Sequence, residues 1–245
     1  MIPKIIHYVW LSGEPFPPLV QKCLKSWRQY MPEYKFVLWT TENFDINICE
    51  FTKQAYEKRK WAFVSDYIRL YALYNYGGWY LDSDVEVLKS FNDISDHNMV
   101  FGTDDGGYIE VVLGSEKGNK LWRDLLVLYD RQQFVLENGK LNMTVVNNNI
   151  ERELKKYGYV QENKYQELDG DIVIFPDDYF QVRSLSSGKM HRTSHSHAIH
   201  WHSLAWVPLH TKIIKFLRMN ILVPVIGVRN YSYIVGKIKK ICNEK

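Results

Sequence analysis

The chain has 245 residues, 46% of them apolar, and a net charge of +3 at pH 7. That is material for one large domain, or one domain with an appendage, around a sizeable core. The basic charge is confined to residues 212–245, where eight Lys or Arg face the single acid Glu244, a balance of +7 that leaves −4 on residues 1–211. A phosphate-tracking surface would spread over the body of the fold, so general nucleic-acid binding is excluded.

Three cysteines, Cys23, Cys49 and Cys242, are widely spaced and form no Cys-x-x-Cys pair. Such an odd set points to a reducing compartment and away from a disulfide framework. The opening M-I-P-K-I-I-H-Y-V-W has no basic region followed by a long apolar stretch, so the expectation is a cytoplasmic protein without a signal peptide. The sequons at Asn142 and Asn230 then carry no glycan. Aromatic residues are abundant, with 17 Tyr, 8 Trp and 11 Phe. Most belong in the core, while flat rings at a cleft suit sugars and nucleobases.

In chain order, the β-branched and aromatic run over 4–11 predicts a first strand, closed by Ser12-Gly13-Glu14-Pro15. Residues 17–31 read as a helix with Leu19, Cys23, Leu24 and Trp27 on one face. Pro32 ends it, and 34–40 reads as a second strand. Strand, helix, strand opens a right-handed α/β unit. Ligands of such sheets sit beyond the carboxyl ends of the strands. Trp10 is thereby placed to stack on a base, although a core or rim position is the commoner use of a tryptophan. Residues 41–60 are polar and mixed, a short helix with loops.

The run over 62–88, A-F-V-S-D-Y-I-R-L-Y-A-L-Y-N-Y-G-G-W-Y-L-D-S-D-V-E-V-L, organises the rest. Phe63, Tyr67, Leu70, Tyr71 and Tyr74 mark one buried helical face. Gly77 and Gly78 stop the helix, and Trp79-Tyr80-Leu81 reads as a short strand. Asp82 and Asp84 follow where that strand runs out, one residue apart, and can offer two carboxylates to one hard divalent cation. Asp66 and Arg69 share a helix face, and Tyr80 points to the same side as Asp82 in extended chain. The spacing alone means little, because the chain contains a second pair, Asp169-Gly170-Asp171, which reads as a solvated turn before a strand. Context separates the two.

Further strands are predicted over 85–88, 99–103, 108–113 and 172–175, with an acidic glycine turn at 104–107. Helices are predicted over 119–132 and 150–156. His191, His195, His197, His200 and His202 then cluster. His200 and His202 stand two apart in a predicted strand, so both can face one side. His-x-His without a third placed ligand is a weak zinc signal, but imidazole suits manganese as one ligand among oxygens. From residue 213 onward, apolar runs alternate with Lys and Arg. The longest uncharged stretch, 219–228, is about half a bilayer span. It reads equally as a basic amphipathic segment on an anionic membrane surface or as an ordinary packed terminal helix.

The strings I-P-K-I-I-H-Y-V-W at 2–10, S-D-Y-I-R-L-Y-A-L-Y-N-Y-G-G-W-Y-L-D-S-D-V at 65–85 and A-I-H-W-H-S-L-A-W at 198–206 resemble the DXD-containing glycosyltransferases of family 32. That family includes bacterial capsule and lipopolysaccharide enzymes and yeast Golgi mannosyltransferases, and the large glucosylating toxins carry a related core. The resemblance implies an α/β fold of GT-A type, a Rossmann-like domain with a mixed central sheet over 1–211. Residues 212–245 form the basic appendage. It implies a nucleotide-sugar donor, UDP-linked by preference, a glycan acceptor on a lipid carrier, Mn²⁺ or Mg²⁺, and retention of anomeric configuration.

Position by position, the resemblance makes Val9, Trp10, Ser65, Asp66, Arg69, Tyr80, Asp82 and Trp206 the donor-binding set. It makes Asp82, Asp84 and Arg69 the catalytic set, and Asp82, Asp84 and His200 the metal ligands. Many members have His-His-Trp and Ser-Trp where this chain has His200-Trp201-His202 and Ala205-Trp206, which leaves His200 and His202 as alternative ligands. A Thr-Gly-Pro-like element has no clear counterpart, and residues 144–147 stand near its place. Two other functions fit parts of the sequence: a metallohydrolase built on the histidine cluster, and a sugar-binding module without turnover.

Overall fold

The structure is a computed structural model and describes residues 1–184, 186–203, 217, 221–227, 230, 231, 233 and 237. A seven-stranded mixed sheet forms the centre. It is built from β1 (Ile5–Val9), β2 (Lys35–Trp39), β3 (Gly78–Tyr80), β5 (Met99–Thr103), β6 (Ile109–Ser115), β7 (Gln166–Leu168) and β8 (Ile172–Phe175), in the order β2-β1-β3-β6-β5-β8-β7. β1 pairs in parallel with both β2 and β3, β5 pairs in parallel with β8, and the remaining pairs are antiparallel. A two-stranded sheet joins β4 (Val85–Val87) to β9 (Ala198–His200). The α/β fold with a mixed sheet is as the sequence predicts.

Strand alternation divides the core into two layers, since neighbouring side chains point to opposite faces. On β8, Ile172 and Ile174 enter one layer, while Val173 and Phe175 enter the other. The first layer lies under α2 (Glu50–Glu57), α3 (Trp61–Tyr76), α4 (Lys120–Asp130) and α5 (Val146–Leu154), with Phe51, Tyr67, Trp122 and Phe134 at its centre. The second layer lies under α1 (Pro18–Tyr30), with Trp27, Trp79, Phe91 and Phe180. Trp27 Nε1 donates to the Val85 carbonyl at 2.7 Å, and Ser26 Oγ accepts the Val87 N–H at 2.9 Å, fixing β4 to α1.

The glycine break does what the sequence asks of it. Gly77 and Gly78 have φ of +66° and +96°. A Cβ on Gly78 would stand 2.6 Å from the Ile5 carbonyl oxygen. Only glycine lets α3 turn this sharply into β3 while β3 lies against β1.

Some predicted boundaries shift. α5 spans Val146–Leu154, and the end of the predicted helix is a 3₁₀ turn over Lys155–Tyr157. β7 and the short helix α6 (Asp177–Phe180) carry no sequence signal. In the appendage, a short helix α7 (Val223–Ile226) is described. The rest of the amphipathic reading falls largely outside the described residues, as does Trp206.

Candidate active site

Parallel pairing of β1 and β3 brings their carboxyl ends to one edge. β1 ends at Val9, with Trp10 next. β3 ends at Tyr80, with Asp82 and Asp84 in the turn that follows. The Val85 N–H donates to the Asp82 carbonyl at 3.0 Å and closes that turn. The register Val85↔His200 sets His200 beside it, and α3 supplies Ser65, Asp66 and Arg69. Apart from Val85, these residues all line one cleft of about 670 Å³, a volume suited to a small-molecule ligand.

Asp82, Asp84 and His200 offer ligand atoms within 4.8 Å of one another. His200 Nε2 lies 3.4 Å from Asp84 Oδ1 and 4.0 Å from Asp82 Oδ2, while its Nδ1 faces Glu110 Oε2 at 3.2 Å. The other Asp84 oxygen accepts the Ser203 N–H at 2.6 Å. Burial opposes charge on Asp84, but His200 and the Ser203 N–H outweigh it and hold the carboxyl well below the usual range. Burial opposes charge on His200 too, yet Asp84 and Glu110 push it up to about 10. Two carboxylates and one imidazole gathered about one point fit a divalent cation such as Mn²⁺ or Mg²⁺.

A second network stands beside the first. Arg69 Nη2 lies 3.1 Å from Asp66 Oδ1 and 3.5 Å from Asp82 Oδ1. Its guanidinium sits 4.6 Å over the Tyr80 ring, and the Tyr80 hydroxyl donates to Asp82 Oδ1 at 3.0 Å. The three-residue step on α3 and the two-residue step on β3 thus meet at Asp82. Burial pushes Asp66 up to about 6, against the pull of Arg69 and of the Val146 N–H, with Asp82 adding to the rise. At the rim, Trp10 donates from Nε1 to the Glu14 carbonyl at 2.7 Å and packs edge-on against Phe16.

The histidine cluster does not form one centre. His197 is buried, with its ring stacked on Tyr179 and Nε2 2.9 Å from Asp93, and His195 stacks on Tyr179 as well. His191 stands 3.5 Å from Asp177. Only His200 and His202 reach the cleft. β9 ends at His200, and His202 takes the left-handed φ of +48°, so the two rings do not meet by strand alternation. Their centroids are 3.6 Å apart, and His202 forms a second close group with Glu110 and His200.

Glu110, Asn147 and Ser203 also line the cleft and are absent from the sequence-based set. Glu110 carried a signal: it is the lone acid in the otherwise apolar strand I-E-V-V-L. Ser203 acts through its backbone N–H, which side-chain identity does not announce.

A mixed α/β sheet with an Asp-x-Asp centre at its carboxyl edge defines the class. Residues 17–101 match the family described as "Glycosyltransferase sugar-binding region containing DXD motif", a match that supports a DXD-containing glycosyltransferase. Inositol phosphoceramide mannosyltransferase 3 of Schizosaccharomyces pombe is 30% identical over 127 residues, 48% of this chain and 34% of that protein. Mannosyltransferase 2 of the same series is 32% identical over 92 residues, 34% of this chain and 25% of that protein. The chain therefore spans about a third of the length of the first of these curated relatives and a quarter of the second. The solved structure of PaToxG Glycosyltransferase superposes with a TM-score of 0.52 at 14% identity, over 63% of this chain and 69% of that one. At that identity the likeness is one of fold.

Proposed function

We propose that the protein is a metal-dependent, retaining glycosyltransferase that moves a hexose from a nucleotide sugar to a glycan acceptor. The observation that carries this reading is the convergence of Asp82, Asp84 and His200 in the cleft that Trp10, Ser65, Asp66, Arg69 and Tyr80 also line. Asp82, Asp84 and His200 would hold the ion, which when bound supplies positive charge against the charge developing on the leaving diphosphate. Trp10 stacks on the base, UDP being favoured. Ser65 and Asp66 take sugar and ribose hydroxyls. Arg69 braces Asp66 and Asp82 and offers its remaining donors to a donor oxygen. Among the described cleft carboxylates, Asp66, Asp82, Asp84 and Glu110 are engaged by Arg69, Tyr80 or His200, and Glu14 stands exposed at the rim beside Trp10. The acceptor therefore attacks on the face from which the diphosphate departs.

The acceptor in this reading is a glycan on a membrane lipid, as in synthesis of bacterial capsule, O-antigen or lipopolysaccharide at the inner face of the cytoplasmic membrane. The basic 212–245 segment and its exposed Ile221, Leu222 and Val225 support surface association. Among the described residues, no helix is long and apolar enough to cross a membrane. The matched relatives also carry a lipid, inositol phosphoceramide, and mannose in their names, so GDP-mannose belongs in the test beside the UDP-sugars.

The test is nucleotide release over a panel of sugar nucleotides, with Mn²⁺ and with EDTA. Release from one donor, lost with EDTA, supports the reading and names the donor. Donor binding by calorimetry without turnover on any acceptor would instead identify a sugar-binding module. For the appendage, loss of vesicle binding on deletion of residues 213–245, with donor hydrolysis retained, is the expected result. Unchanged vesicle binding overturns the membrane role.

A further inference from the structure

We propose that Glu110 is the positioning residue of the metal centre: its carboxylate takes the Nδ1–H of His200 and so presents Nε2 to Asp82 and Asp84. The proposal rests on the metal-dependent reading above and deepens it.

A neutral imidazole binds a metal through its unprotonated nitrogen, and the bond made by the other nitrogen decides which one that is. In this cleft the two ring nitrogens face different partners. Nδ1 lies 3.2 Å from Glu110 Oε2, and Nε2 lies 3.4 Å from Asp84 Oδ1. The side chains of Glu110 and His200 are only 12% and 8% exposed. Little solvent is left to compete, and an unpaired carboxylate here would be costly.

The fold holds Glu110 in place from a distance. The β5–β6 ladder shifts register between Phe101 and Thr103, an irregularity of the kind that re-aims a side chain. The Ile109 N–H, just before Glu110, donates to Glu151 Oε1 at 2.9 Å, and the Ile109 carbonyl accepts from Asn147 Nδ2 at 2.6 Å. Both partners belong to α5, whose Val146 N–H donates to Asp66 Oδ2 at 3.2 Å. One helix therefore ties the Asp66 side of the cleft to the Glu110 side.

The same geometry chooses between the two histidines. His200 belongs to the group with Asp82 and Asp84, whereas His202 groups only with Glu110 and His200. His200 is the ligand, and His202 stands behind it.

The experiment is Mn²⁺ binding to the full chain by calorimetry, in wild type, Glu110→Gln, Glu110→Ala and His202→Ala. Outer partners of ligating histidines are worth about 10–100-fold in metal affinity, so Glu110→Ala should bind Mn²⁺ that much more weakly. Glu110→Gln keeps the shape and an oxygen acceptor for Nδ1–H, and should recover most of the loss. His202→Ala should change affinity less than Glu110→Ala. If Glu110→Ala binds like wild type, the positioning role is overturned and the metal reading stands. If Glu110→Gln is as weak as Glu110→Ala, the carboxylate is itself a ligand and the proposal fails. If the wild type binds no Mn²⁺, the metal-dependent reading falls and takes this one with it.

Discussion

Asp82-Ser83-Asp84 and Asp169-Gly170-Asp171 have one spacing and two environments. The second pair is exposed in the turn between β7 and β8, where Gly170 and Asp171 take left-handed φ of +82° and +57°. Asp171 accepts the Asn98 N–H at 3.0 Å and lies 2.9 Å from His97 Nδ1. Its partners are also distant in sequence, but they leave it half-exposed, and water screens the pair. Around the first pair the fold gathers groups from distant parts of the chain: His200 from β9, Arg69 from α3 and the Ser203 N–H from the loop after β9. Asp84 is buried and Asp82 only partly exposed. What sets the first pair apart is that a buried imidazole joins the two carboxylates and water is largely excluded, which makes them a group that could hold a metal ion. The spacing is common to both pairs and decides nothing.

The largest expected effect breaks the first pair at its most buried member. Asp84→Asn removes a proposed metal ligand and the partner of His200, and should lower nucleotide release by about 10³-fold, comparable to loss of a main charge-stabilising group. Release that persists at the wild-type level, with or without EDTA, would remove this pair from the chemistry. Next in size is a pH effect on the hinge that aims β3. His7 is buried beneath it, with Nε2 donating to the Gly77 carbonyl at 2.9 Å and Nδ1 accepting Trp39 Nε1–H at 3.2 Å. Burial pushes its pKa down to about 4, the Gly77 bond opposing and Lys35 adding to the fall. The neutral ring is therefore the native form, and an unfolded chain takes up a proton near pH 6.5 that the native one refuses. Stability is full above pH 6.5 and falls as pH drops towards 4, by about 3 kcal/mol. Urea unfolding at pH 7.5 and 4.5 should show this loss in wild type and a smaller one in His7→Gln.

Much of this was legible because it is local. The three-and-four periodicity of α3, the Gly77-Gly78 stop and the aromatic strand before Asp82 are all short-range signals, and each has its counterpart in the fold. What was not legible depends on tertiary contact. α5 begins four residues before its predicted start, and no side chain at Val145 caps it; Asp66 receives the Val146 N–H from across the core. β7, Gln166-Glu167-Leu168, is too short and polar to show alternation and exists because it pairs with β8. The five histidines look like one cluster in sequence. The segments before and after β9 meet two different surfaces, so that His195 and His197 stack on Tyr179 while His200, at the end of β9, and His202 beyond it reach the cleft. Glu110 comes from a strand that lies between β3 and β5 in the sheet, an order that no local pattern encodes.

A smaller effect sharpens the comparison from the side of the partners. Arg69 contacts Asp66 and Asp82 and lies over Tyr80. Arg69→Lys keeps the charge but loses the planar fork and the stacking. Hydrogen bonds to charged groups are worth about 1.5–3 kcal/mol, so kcat/KM should fall by about 10–100-fold. A lysine variant within twofold of wild type would mean that charge alone is needed there and that the fork geometry is incidental.

The smallest effect belongs to the other pair. In Asp171→Asn the side chain keeps an oxygen to accept the Asn98 N–H, and asparagine is among the few residues that tolerate the left-handed φ of this position. What is lost is the attraction of His97. The hydrogen bond to His97 is the first cause holding the Asp171 carboxyl below its usual range, with burial opposing. The Asp171 side chain is 49% exposed and its partner 31%, so solvent screens most of that attraction. Its contribution is present above pH 4 and disappears as pH falls below the ordinary carboxylate value, a window separate from that of His7. The variant should lose no more than about 1 kcal/mol in urea unfolding at pH 7 and release nucleotide at the wild-type rate. A fall in release as deep as that of Asp84→Asn would mean that the spacing carries chemistry wherever it occurs, and the contrast between the pairs would be lost.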